Sequence, residues 1–408
     1  METTVCVVGG GPAGMVLGLL LARAGVPVVV LEKHETFLRD FRGDTVHAST
    51  LTLMDEIGLG AEMAAVPHRR VDSFVMAYQG HRPLRLADLR RLHVPHPYIA
   101  FMPQWDFLEM LATAAQRLPA FTLLRSTEMV DLIQEGGRVV GVRAQGPDGP
   151  LDIRATLTVA ADGRGSTVRD RLGLRPTAFG APMDVLWFRL PRRETDPDEG
   201  LQLNIDSGRV VITIDRGDYW QCAFVIPKDG YQKVRDAGLD AFRESIGAAV
   251  TNLADRTGAI TDWDQVKMLT VRLDRLPRWH APGVLLIGDA AHAMSPIGGV
   301  GINLAVQDAV ATARAVAAPL LAGRLSDADL AGVRRRRRFP TVGTQMLQRF
   351  LQNAIVKPVL SGTATRPPLP ARVIDRFPVL QGIPARMIGL GLRPEHATGI
   401  PVAALQDR

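Results

Sequence analysis

The strongest constraint on this chain stands at its N-terminus. Val5-Cys6-Val7-Val8 is a short apolar, β-branched run of the kind that forms a strand buried on both faces. Gly9-Gly10-Gly11-Pro12-Ala13-Gly14 follows at once, then the apolar stretch Met15 to Ala24, Gly25 as a helix stop, and a second strand Val28 to Leu31 ending in Glu32. This is a complete strand, helix, strand unit with glycines at the G-x-G-x-x-G positions Gly9, Gly11 and Gly14. Such a loop lets a pyrophosphate approach backbone N–H groups at a helix N-terminus more closely than a Cβ permits, with Pro12 and Ala13 among its cofactor-binding positions. Glu32 falls where a carboxylate accepts from ribose hydroxyls, Lys33 stands beside it, and the acid would repel a 2′-phosphate. The unit predicts an unphosphorylated adenosine, as in FAD or NAD.

At 408 residues the chain has room for two to three domains of about 150 residues. Its 46% hydrophobic and 22% charged residues exclude a disordered chain. The net charge of +6 comes from arginine spread along the sequence, with only five lysines and no basic face interleaved with aromatics, so nucleic acid is not an expected partner. No uncharged apolar run reaches the roughly 18 residues needed to span a bilayer, which predicts no stable membrane insertion. Cys6 and Cys222 lie far apart and form no metal-ligand spacing, so no metal is expected and a reducing, cytoplasmic setting is. Nothing in the pattern chooses between a monomer and a homodimer.

Further along, Val71 to Tyr78 reads as a strand, His93 to Met102 as an extended stretch, and Trp105 to Leu118 as an amphipathic helix. Gly136-Gly137 is a hairpin turn between Met129 to Gln134 and Arg138 to Ala144. Leu157 to Ala161 is a buried strand ending in Asp162-Gly163. Between Pro176 and Lys267 the pattern changes to alternating strands, Val185 to Leu190, Val210 to Asp215 and Trp220 to Ile226, then a helix over Leu239 to Leu253. Val284 to Ile287 returns to the apolar strand pattern and leads through Gly288-Asp289-Ala290-Ala291-His292 to an alanine-rich helix over Asn303 to Leu321.

Three separated motifs together resemble the class A flavoprotein monooxygenases of the p-hydroxybenzoate hydroxylase type, over roughly residues 4 to 350. They are the N-terminal unit, Ala161-Asp162-Gly163-Arg164-Gly165-Ser166-Thr167-Val168-Arg169, and Gly288-Asp289-Ala290-Ala291-His292 continuing through Pro296 and Gly298-Gly299-Val300-Gly301-Ile302-Asn303. The resemblance implies an α/β fold: a Rossmann-like FAD-binding domain (1–70, 100–178 and 268–350), an inserted, mainly antiparallel β substrate domain (71–99 and 179–267), and a short helical C-terminal segment (351–408). It further implies that Arg42 reaches the phosphate and ribityl region, that Gly43 and Asp44 run beside the flavin ring, that Gln104 lies near the ribityl chain, and that the backbone of Val130 meets adenine. Asp289 would accept from ribityl hydroxyls, and Pro296, Gly299, Gly301, Ile302 and Asn303 would border the ring. The helix that follows aims its positive end at the part of the flavin that becomes anionic on reduction. Asp162 and Arg164 are associated with the nicotinamide step. The expected chemistry is a hydroxylation using O₂ and NADPH or NADH, the latter a transient co-substrate, through a flavin C4a-hydroperoxide. No catalytic side chain is demanded. His47 and Pro296 are the candidates, while His292 is expected to be structural.

Rival readings of the same motifs lose ground on particular residues. A flavin-dependent halogenase would carry two tryptophans where Cys222 and Phe224 stand, and an essential lysine in a region that has none between Lys33 and Lys228. A dithiol reductase needs a cysteine pair. A FAD-dependent reductase or dehydrogenase acting on an isoprenoid or quinone remains the alternative. The substrate, a bulky aromatic small molecule, is expected near Pro296 and the strands bearing Trp187, Val211, Thr213 and Trp220, with Arg189 and Arg216 as possible anion clamps. Five arginines at 334–338 read as a solvated helix or as salt bridges, and the Pro- and Gly-rich tail as a packing lid or a peripheral contact.

Overall fold

In the computed structural model, which describes residues 1–38, 44–196, 200–206, 208–364 and 366–403, the strand Glu2–Val8 lies between Val28–Leu31 and Gly149–Ala160, parallel to both. Phe121–Leu124 extends this sheet on one side and Val284–Leu286 on the other, also parallel, while the hairpin Glu128–Glu135 and Arg138–Gly146 folds back antiparallel on Gly149–Ala160. Val5, Cys6 and Val7 are fully buried, as a strand with no polar face requires. The helices Pro12–Arg23 and Gly301–Leu321 pack on each other in the same core. The only described helix long and apolar enough to cross a bilayer is Ile297–Leu321, and 67% of its most apolar stretch is buried inside the fold. Its apolarity therefore serves this core.

A second sheet runs in the order Lys267–Leu269, Met183–Pro191, Tyr219–Pro227, Arg209–Asp215, Leu201–Asp206, Ser73–Tyr78, Leu84–Asp88. It is antiparallel except where Leu201–Asp206 pairs parallel with Ser73–Tyr78. The strand Leu201–Asp206 has no counterpart in the sequence reading. One face carries Phe188, Val211, Trp220 and Phe224 against Phe242 and Ile246 of the helix Leu239–Ala249. That helix stops short of the expected Leu253, and a 3₁₀ stretch, Thr251–Ala259, replaces its last turn. The other face carries Met76, Val185, Ile205 and Val225.

A small third sheet, Thr45–Val46, Ile99–Phe101 and Arg69–Val71, joins the two large ones. The long helix Asp327–Leu351 continues through a π-helical turn at Gln352–Val356, and the C-terminal helices Leu369–Arg376 and Gly382–Gly389 then pack near the Leu84–Asp88 strand. Buried Glu395 ties this tail down by accepting from Arg314 Nη1 at 2.6 Å and Arg336 Nε at 2.7 Å. Arg337 of the same helix is 1% exposed and donates to buried Asp308 at 2.8 Å. Two of the five consecutive arginines are therefore internal ion-pair partners.

Candidate active site

One cavity of about 1060 Å³ runs from the N-terminal glycine loop, past the loop at 294–302, to the inner face of the second sheet. At its first end Gly9 adopts φ +105° and a Cβ on Gly14 would stand 1.9 Å from Gly9 O, whereas a Cβ on Gly11 would meet nothing within 4 Å. Gly14 is thus a packing glycine and Gly11 leaves the cavity open. The helix Pro12–Arg23 begins there with no side chain capping its N-terminus, which leaves its first N–H groups for an anion. Glu32 is 1% exposed, accepts from Gly10 N and His34 N at 3.1 Å each, and lines the cavity with Lys33 and Met129. Val130 does not line it. Its side chain is exposed and its carbonyl accepts from Arg171 Nε at 3.1 Å, while Glu128 and Met129 line the cavity beside it.

The second and third motifs meet in the middle. Asp162 Oδ2 accepts from Val168 N at 3.2 Å, Oδ1 is buried without a partner, and burial pushes the carboxyl pKa up. Arg164 Nε donates to Asp289 Oδ2 at 2.9 Å, so the expected nicotinamide residue directly holds the expected ribityl ligand. Pro296, Gly299, Gly301 and Ile302 line the cavity. Asn303 does not. It is buried one helical step away, with its Oδ1 accepting from Ser49 Oγ at 2.7 Å and Thr50 Oγ1 at 3.1 Å. Gln104 lines the cavity and opens its helix, while Arg42 and Gly43 lie outside the described residues.

Behind the loop, His47 is fully buried with Nδ1 2.7 Å from Ile388 O and Nε2 3.0 Å from Gly299 O. Burial lowers its pKa against the two carbonyls, which favour the charged ring. It holds the glycine loop to the C-terminal helix and does not face the cavity, which removes it as an acid–base candidate. His292 is structural: its Nε2 lies 2.6 Å from Asp308 Oδ2. The loop is further pinned by three buried glutamines, Gln345 and Gln348 on the long helix through its backbone and Gln352 on the π-helical turn through the Ser295 side chain. Gln345 donates to Ala293 O at 3.1 Å, Gln348 to Ser295 O and Ile297 O at 2.9 Å each, and Gln352 to Ser295 Oγ at 2.9 Å. Their spacing of three and four was visible in the sequence, but nothing there identified a backbone partner.

The far end of the cavity is apolar. Val185, Trp187, Ile212, Ile214 and Ala223 form its sheet wall, and Ala371, Ile374, Met387 and Ile388 of the tail close it opposite. Of the four expected substrate contacts only Trp187 lies there. Val211, Thr213 and Trp220 face the other way, Val211 against the helix Leu239–Ala249 and Trp220 donating through Nε1 to Asp196 Oδ2 at 2.9 Å. The strand's side chains alternate, so the wall is built by 210, 212 and 214. Neither expected clamp lines the cavity: Arg189 stacks on Tyr219 with its guanidinium 4.4 Å from the ring centre, and Arg216 lies 3.6 Å from Asp44 with its Nη1 buried and unpartnered. Asp44 and Gln221 are the polar groups at this end. Burial pushes the Asp44 pKa up, opposed by Arg216 and by hydrogen bonds from the Gln221 side chain and Gln104 N–H.

A glycine cradle open to the cavity, an uncapped helix N-terminus and a ribose-distance acid at one end fit the ADP half of FAD. Asp289 and the 296–302 loop fit the ribityl chain and ring. The FAD binding domain family matches residues 2–348. The chain belongs to that family. It is a flavoprotein monooxygenase of the p-hydroxybenzoate hydroxylase type and takes FAD. The 6-methylpretetramide 4-monooxygenase of Streptomyces rimosus is 34% identical over 393 residues, covering 95% of this chain and 92% of that one. The structure of the anhydrotetracycline hydroxylase OxyS, also from Streptomyces rimosus, superposes with a TM-score of 0.73 at 26% identity over 95% of this chain and 76% of that one. The p-nitrophenol 4-monooxygenase of Pseudomonas putida DLL-E4, at 22% identity, TM-score 0.75 and coverage of 95% and 96%, shares the fold.

Proposed function

We propose that this protein is a single-component monooxygenase that uses NADPH or NADH and O₂ to hydroxylate a planar, polycyclic phenol. The observation that carries this reading is the continuity of the cavity. The glycine loop that would border the flavin opens directly onto an apolar chamber walled by Trp187, Ile212 and Ile214 and closed by the tail helices. FAD, when bound, supplies the electron transfer between nicotinamide and O₂ and the delivery of one oxygen atom to the ring. The residues of this chain do the rest. Gly11 and the helix behind it would hold the pyrophosphate, Asp289, held by Arg164, would accept from the ribityl hydroxyls, and the apolar walls would align the substrate and keep water away. A nicotinamide nucleotide would bind only transiently, because the one G-x-G-x-x-G would be taken by FAD.

The substrates named in two of the proteins it resembles make 6-methylpretetramide and anhydrotetracycline the first compounds to try. Either should stimulate NAD(P)H consumption by the FAD-loaded protein and give a product heavier by one oxygen atom drawn from ¹⁸O₂. Nucleotide consumption with a reduced product and no incorporated oxygen would instead support the reductase alternative.

A further inference from the structure

The tail helices close the chamber except along one seam. Phe350, near the end of the long helix, and Ile383, in the helix Gly382–Gly389, line the cavity yet are 64% and 60% exposed, which puts them at its mouth. The apolar surface continues outward from there. Leu369 and Val373 stand one turn apart on the solvent side of the helix Leu369–Arg376, whose inner side sets Ala371 and Ile374 on the cavity. Phe377 and Val379 carry the patch back toward Ile383, and Val379 is 80% exposed. An apolar surface of this kind around a cavity mouth marks a contact face.

The rim of that face is basic. Arg349, Arg366, Arg372, Arg376 and Arg386 are all exposed, and none has a carboxylate partner among the described residues. Arg372 and Arg376 share the outer side of their helix with Leu369 and Val373. The one acid between Phe350 and Pro394 is Asp375, and it turns inward to accept from the Arg82 side chain and from Arg85 N–H. Arginine is spread along the whole chain, but with six cations against that one acid this stretch holds five of its six net positive charges. A second copy of the chain would set these arginines against one another across a two-fold axis, whereas anionic headgroups over acyl chains match both the charge and the apolarity.

We propose that this face docks reversibly on a bilayer containing anionic lipid, with Leu369, Val373, Phe377 and Val379 entering the boundary between headgroups and acyl chains and the arginines reaching the lipid phosphates. The contact is peripheral, because the two helices that form it have eight residues each, too few to span. The chamber mouth then opens onto acyl chains. If the substrate is the planar polycycle proposed above, it dissolves there and enters without crossing water.

The test is sedimentation of the FAD-loaded protein with vesicles of phosphatidylcholine alone and with phosphatidylglycerol added. Binding to the anionic vesicles should be about tenfold stronger or more, and should weaken as salt rises. Val379→Asp should weaken it about tenfold at an unchanged melting temperature, whereas Arg143→Glu, a larger charge change at an exposed site on the first sheet, should leave it within about twofold. Both native cysteines are buried, so Val379→Cys and Arg143→Cys each offer one thiol for an environment-sensitive fluorophore. Emission from position 379 should shift to the blue on anionic vesicles and emission from position 143 should not. No binding to either vesicle, equal binding to both, an equal loss in Val379→Asp and Arg143→Glu, or an equal shift at the two labels overturns the proposal. So does a dimer that Val379→Asp splits in a protein that ignores vesicles, since the face would then belong to a second copy. These measurements contain no substrate, so their failure leaves the hydroxylase reading standing, and a failed hydroxylation leaves them unchanged.

Discussion

Gly11 and Gly14 belong to one motif and lack side chains for opposite reasons. A methyl at Gly14 would overlap the Gly9 carbonyl, so Gly14→Ala should disrupt the loop itself and yield unstable protein. A methyl at Gly11 meets no protein atom, so Gly11→Ala should fold with an unchanged melting temperature and lose FAD affinity by tenfold or more, on the order of 1.4 kcal/mol. Flavin retention on gel filtration and calorimetry separate the two, and equal flavin loss at equal stability would contradict this. The acids divide similarly. Asp289→Ala should chiefly weaken FAD retention and leave Arg164 without its partner, whereas Asp162→Ala should slow flavin reduction by NAD(P)H while FAD stays at least partly bound. Stopped-flow reduction of Asp162→Ala at the wild-type rate would end that assignment.

A strand covered on both faces gives no outward sign of which way it points. Val210-Val211-Ile212-Thr213-Ile214 is apolar at nearly every position because a helix packs on one side and the cavity lies on the other. Val211→Ala should therefore cost about 2 kcal/mol of stability and leave KM unchanged, while Ile212→Ala should alter KM at little cost in stability. Urea denaturation beside steady-state kinetics decides it, and a KM effect at 211 would reverse the assignment of faces. The same physics marks what the sequence could tell. The N-terminal unit was legible because its strand, glycine loop, helix and acid are consecutive, and each obeys a local rule. The strand Leu201–Asp206 was not, since its partner Ser73–Tyr78 lies far back in the chain. Nor was the corner of Asp44 and Gln221, two ordinary polar residues brought together only by the fold. The tail left a packing lid and a peripheral contact both open in the sequence, because its broken Pro- and Gly-rich pattern does not say which cavity residues it supplies.

At the scale of the molecule, Asp308 and Glu395 hold the long helix and the tail to the FAD-binding core. Burial alone would raise both carboxyl pKa values, but His292 and Arg337 around Asp308, and Arg336, Arg337 and Arg314 around Glu395, hold them below the ordinary range. Folded values below unfolded ones mean stabilisation that is complete above about pH 4.5 and lost as pH falls through the folded values. Arg337→Met should cost about 3 to 5 kcal/mol and move acid unfolding to higher pH, read by thermal melts between pH 7 and pH 4. Melting curves that stay parallel to wild type across that range would show the arginine to be incidental. The parallel pairing of Leu201–Asp206 with Ser73–Tyr78 has a different consequence, for recombination. The chamber is assembled from four stretches of chain, one before Gln104, one between Met183 and Leu269, one from Thr344 to Val356 and one from Pro368 onward, with cofactor-binding sequence among them. No single contiguous cassette contains the substrate-binding surface. A chimaera that exchanges one block with a relative would join part of one chamber to part of another, whereas transplanting specificity takes all four stretches at once.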